Sequence, residues 1–179
     1  MAEGSLISNR WIYGMAYFGV MATLMLLHIM PTEIGPNGYP GPDLMLCITF
    51  AWVLRRPHFV PAPLIALVFL VGDMLFMRPP GLWAALVVIG AEILRAREAT
   101  TREQTFGVEW AMVSGVILSL VIADRLIQAI FLLEQASFGL TLLGLIATLI
   151  AYPLIVLVSR YIFGVNRMTP SEASAVNRR

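Results

Sequence analysis

The chain has 179 residues, of which 59% are hydrophobic and only 13% charged, and its net charge is +1. A soluble domain is typically about 25% charged and 45–50% apolar, so folding alone cannot hide this much apolar surface and lipid is the expected solvent. The small net charge gives no footprint for nucleic acid.

Residues 1–10 are short and polar and are expected to be a cytoplasmic segment. Residues 11–30 are uncharged and mostly apolar; as a helix they rise about 30 Å, the thickness of a hydrocarbon core. A signal-peptide h-region is only about 7–15 residues long with small residues at the cleavage site. His28-Ile29-Met30-Pro31 does not supply such a site, so a retained first helix is expected. Trp11, Tyr13 and Tyr17 crowd its start, as interfacial aromatics do.

Pro31–Asp43 holds four prolines and three glycines and reads as a loop. Gly35, Gly38 and Gly41 have a phosphate-cradle spacing, but no Lys-Ser/Thr follows and the intervening prolines lack N–H donors, so turn chemistry is the reading. The second predicted element, 43–55, opens on Asp43 and closes on Arg55-Arg56. Its eleven uncharged residues, Leu44–Leu54, rise only about 16 Å. A short spanning helix, lengthened by snorkelling arginine stems, is favoured over one arm of a re-entrant hairpin. The hairpin would sink both arginines in lipid at about 2.5–3.5 kcal/mol each. Cys47 lies inside this element and, as the single cysteine, reads as a small apolar filler.

Further helices are predicted over 59–77, 82–95, 106–133 and 138–163, with a loose cytoplasmic tail over 164–179. Pro153 is an expected kink in the last of them. All twelve basic residues are arginine. With the N-terminus in the cytoplasm and six alternating crossings, Arg10, Arg55, Arg56, Arg95, Arg97, Arg102, Arg160, Arg167, Arg178 and Arg179 fall inside and Arg78 alone outside, Arg125 lying within a segment. This positive-inside bias predicts an all-α polytopic membrane protein with six transmembrane helices, two of them short, and both termini cytoplasmic. Asp43, Arg55 and Arg56 set its orientation.

Gly107, Ala111, Gly115, Ser119 and Ala123 recur every four residues, so they share one helix face. Small residues there let another backbone come close, and two readings stand: packing within the chain, or a groove for a partner's helix. Asp73, Asp124 and Arg125 are charges inside predicted segments, which usually pair or line a cavity. Pairing of Arg125 with Asp73, Asp124 or both is expected, with a polar ligand site as the alternative. Glu92 and Glu109 are expected to meet local arginines at the interface, Arg95 being three residues from Glu92. His28 and His58 fall on opposite sides and cannot share a metal. Ser114 and Ser119 have no histidine near them, so no hydrolase triad is expected. The reading is of a protein that is not an enzyme and carries no metal or cofactor.

Several ordered pieces carry a resemblance to a known family: Pro42-Asp43-Leu44; Phe50-Ala51-Trp52-Val53-Leu54-Arg55-Arg56-Pro57; Pro61-Ala62-Pro63-Leu64; Gly72-Asp73; and Met77-Arg78-Pro79-Pro80-Gly81-Leu82-Trp83. Glu109-Trp110 and Ala151-Tyr152-Pro153-Leu154 fit as well. Together they resemble the MreD family of rod shape-determining proteins, alphaproteobacterial type, over about residues 10–165. The resemblance implies a multi-pass protein of the bacterial inner membrane acting in cell shape and lateral peptidoglycan synthesis. It implies MreC, MreB, RodA and RodA's partner transpeptidase as partners, and a fold similar to the substrate-binding subunits of energy-coupling-factor transporters. Two functions are weighed: a scaffold of the elongation machinery, and a small-molecule-binding subunit of a transporter.

Overall fold

The computed structural model describes residues 3–29, 41–98, 104–133, 135 and 137–162. Among them are six α-helices and no strand: α1 (Glu3–Ile29), α2 (Leu44–Arg55), α3 (Ala62–Leu75), α4 (Leu82–Ala96), α5 (Phe106–Ile130) and α6 (Phe138–Ile162), with one 3-10 turn at Pro57–Phe59. Ile12–Ile29, Phe106–Ile130 and Phe138–Tyr161 are long and apolar enough to cross a membrane, while Leu44–Arg55 and Ala62–Leu75 are shorter apolar helices. The first helix starts at Glu3 rather than residue 11. The third is cut back to Ala62–Leu75, because the Pro57–Phe59 turn and the extended Pro61 that starts the helix take up its front end.

The shortest helix is the centre of the molecule. Every residue of α2 from Met45 to Arg55 is buried, the place for a helix that is apolar on all faces. Asp43 caps it by accepting from the Leu46 N–H at 2.9 Å. On α6, Thr148 Oγ1 accepts from the Asp43 N–H at 3.0 Å, the Thr148 carbonyl accepts from Cys47 Sγ at 3.4 Å, and Ser159 Oγ accepts from Trp52 Nε1 at 3.3 Å. On α1, the fully buried Tyr17 hydroxyl meets Thr49 Oγ1 at 2.8 Å. Gly90 of α4 admits the tips of Phe50 and Leu120, each only 2.9 Å from where a Cβ would stand.

These contacts set how far α2 runs along α6. Thr148 lies near the midpoint of α6, a helix of 25 residues that rises about 37 Å. The N-terminus of α2 is therefore abreast of the middle of α6, and α2 accompanies only the C-terminal half of it. Nor does Arg55 snorkel. It is 6% exposed and folds back along its own helix, donating to the Ala51 carbonyl at 3.4 Å.

Proline 153 leaves a mark that sequence reading did not foresee. It has no N–H, so the carbonyl one turn earlier, that of Leu149, lacks its usual helical donor. Trp110 of α5 fills the gap, its Nε1 donating to the Leu149 carbonyl at 3.0 Å.

Candidate functional site

The two ends of the bundle differ. At the end where α2 stops, Arg55 and Glu109 form a buried ion pair at 2.7 and 3.4 Å, and the Tyr152 hydroxyl donates to Glu109 Oε1 at 2.9 Å. Glu109 is 1% exposed. The expectation that it meets an arginine at the interface is corrected in place: the partner is Arg55, and the pair is sealed among α2, α5 and α6. The pieces Glu109-Trp110 and Ala151-Tyr152-Pro153-Leu154, quoted separately above, are thus in direct contact. Arg95 does bond Glu92, and it also donates to the Val60 carbonyl at 2.7 Å. Arg56 lies over the Phe59 ring, 5.8 Å from its centroid.

At the opposite end, where α2, α4 and α6 begin, two cavities meet. The smaller, about 260 Å³, lies between α2, α4, α5 and α6, with Asp124, Gln128, Thr141 and Thr148 on its walls. The larger, about 460 Å³, lies between α1, α2 and α3, with Leu24, His28, Phe69 and Asp73 on its walls. Gly41, Asp43, Arg78 and Trp83 line both.

Asp73 and Arg125 do not pair. Asp73 is committed to α4, its Oδ2 accepting from the Gly81 N–H at 3.0 Å and the Ala84 N–H at 3.1 Å. These are orphan donors of a helix start, and a carboxylate is a favoured partner for them. Gly81 supplies the left-handed turn (φ 86°) that brings them there. Arg125 donates to Thr141 Oγ1 and stands over the Phe138 ring, which ties α5 to α6. Asp124 accepts from Gln128 Nε2 at 2.8 Å. Arg78, the one arginine expected on the outer side, lines both cavities, one with Asp124 and the other with Asp73 on its walls. Its guanidinium lies over Phe76 and Trp83, 5.5 and 5.9 Å from the ring centroids.

The small-residue stripe sits on the outside of the bundle. The buried face of α5 is Glu109, Val113, Ile117 and Leu120. Gly107, Ala111, Gly115 and Ser119 are exposed on another face, and Ala123 is half-buried. A Cβ added at Gly107 or Gly115 would meet nothing within 4 Å. Ala123 packs against the core, while Gly107 and Gly115 are open among the described residues. Among the described residues no group of three or more His, Cys, Asp or Glu is placed to hold a metal ion.

Comparison of the chain with family models, with curated proteins and with solved structures gives no match.

Proposed function

We propose that this chain is a non-catalytic scaffold of the bacterial inner membrane, crossing it six times with both termini in the cytoplasm. It would serve the cell-wall elongation machinery, in keeping rod shape and building lateral peptidoglycan. It would do so by docking the transmembrane helices of MreC and of RodA with its partner transpeptidase, and by lying within reach of MreB. The observation that carries the reading is the open stripe on α5. Four small residues at spacing four face outward, where a second helix can approach to backbone distance, the way helices associate in lipid. The family resemblance supplies the identity of the partners. The arginine distribution supports the orientation, although Arg55, neutralised by Glu109, adds little to it.

The test is Gly115→Leu. Because a Cβ there meets nothing within 4 Å, the variant is expected to keep its own stability, and copurification of the partner helices is expected to fall. Undiminished copurification with Gly115→Leu and Ser119→Leu combined would remove the stripe as the docking surface. A second reading, a small-molecule-binding subunit of a transporter, is favoured by the two cavities and the charges on their walls.

A further inference from the structure

The smaller cavity, about 260 Å³, has charge of both signs on its walls that the fold leaves unanswered. Arg78 is an exposed side chain resting over the Phe76 and Trp83 rings, and among the described residues no hydrogen bond or ion pair takes up its guanidinium N–H groups. Asp124 is half-buried on the same cavity. Its Oδ2 accepts from Gln128 Nε2 at 2.8 Å, while its Oδ1 is unbonded and open to solvent. Asp43 adds a second carboxylate, which caps α2 through Oδ1 and leaves Oδ2 open.

Arg78 and Asp124 do not pair with each other, so each keeps its capacity to meet a ligand. A guanidinium takes a carboxylate or a phosphate through parallel N–H donors, and a carboxylate takes an ammonium. A ligand that is only an anion would face Asp43 and Asp124. One that is only a cation would leave the guanidinium unanswered. A zwitterion satisfies both sides. The volume falls just below the range of about 300–1,000 Å³ usual for small-molecule pockets, so the ligand is small, and the compact carboxylate suits the space better than a phosphate. The half-buried Val121 and Leu145 give the same cavity an apolar wall, which suits an aliphatic group.

We propose that the smaller cavity binds a free α-amino acid with an aliphatic side chain, its carboxylate on Arg78, its ammonium on Asp124 and its side chain against Val121 and Leu145. The inference rests on the second reading and deepens it by naming the ligand class. It uses none of the stripe residues, so its failure leaves docking untouched.

The experiment is isothermal titration of the full chain in nanodiscs, corrected against empty nanodiscs, with three probes. They are L-leucine, isocaproate, which is leucine without its ammonium, and isoamylamine, which is leucine without its carboxylate. Leucine is expected to bind, and each of the other two about tenfold more weakly, because each forgoes one charged contact. Arg78→Gln, a change at an exposed side chain, should weaken leucine about tenfold and leave isoamylamine unchanged. Asp124→Asn, which keeps an oxygen for Gln128, should weaken leucine to the same extent and leave isocaproate unchanged. The unfolding midpoint of each variant without ligand checks that the fold is kept, and the probe-by-probe pattern is one that a merely structural role would not produce. Isocaproate or isoamylamine binding as tightly as leucine would overturn the zwitterion while keeping a small-molecule site. Binding of none of the three, or leucine affinity unchanged in both variants, overturns the proposal.

Discussion

The half of the bundle around Arg55 and the half around Arg78 are built from the same materials and finished differently. Both place arginine, carboxylate and aromatic residues among apolar helices. Around Arg55 the charges face one another, Tyr152 adds a third member, and the network closes inside the core. Around Arg78 each carboxylate is tied to its own neighbourhood, Asp43 and Asp73 to helix starts and Asp124 to Gln128, and the space between them stays open. Charge in an apolar medium is stable when paired or when it lines a cavity. This chain uses one solution at each end.

If the Arg55 end is a closed lock, breaking one member should cost most. Arg55→Met takes the Arg55 guanidinium from the buried Glu109 carboxylate and is expected to lower stability by about 3–5 kcal/mol. Arg55→Met with Glu109→Leu should recover most of that loss. Unfolding in detergent micelles measures both, and a double variant no better than the single one would show that the pair does more than neutralise itself. The close approach at Gly90 is next in size. Gly90→Ala places a methyl 2.9 Å from Phe50 and Leu120. Both contacts are side-chain tips that can shift, so a loss of about 1–3 kcal/mol is expected, read in the same unfolding experiment.

The Trp110–Leu149 bond sharpens the account of Pro153. Trp110→Phe should cost about 1 kcal/mol while Pro153 is present. It should cost less in a Pro153→Ala background, where an N–H is restored to the helix; an equal cost in both would mean that the indole serves the carbonyl for another reason. The smallest effect is at the rim of the open end. Met77 is 95% exposed with φ 52°, a left-handed conformation that costs a side chain about 1–2 kcal/mol. Met77→Gly is therefore expected to raise stability by a few tenths to about 1 kcal/mol after the entropy of glycine is counted.

Much of the helical order is legible in the chain because lipid imposes a simple code of apolar runs and turn residues. The start of α4 at Leu82, of α5 at Phe106 and of α6 at Phe138 follow from it. Partner choice is less legible. Asp73 looks like a charge in search of an arginine. Its actual partners are the N–H groups of Gly81 and Ala84, and backbone donors carry no residue type for a sequence to show. The Arg55–Glu109 pair joins residues 54 positions apart, and nothing local marks it. One signal was available: Arg55 follows eleven uncharged residues in an unusually short apolar helix, which is a reason to expect a buried partner for it. The Leu149 carbonyl, one turn before Pro153, was also predictable as an orphan, though not the tryptophan that answers it.

The end of the bundle with the two cavities and the end with the sealed Arg55–Glu109 pair should differ in access to water. Leu145 lines the smaller cavity one turn from Thr148, and Val156 is buried two turns further along α6. In a Cys47→Ser background, single cysteines at these two positions should react differently with a hydrophilic maleimide in nanodiscs. Leu145→Cys is expected to be labelled and Val156→Cys to stay protected. Equal labelling, or protection of both, would contradict the division between the two ends.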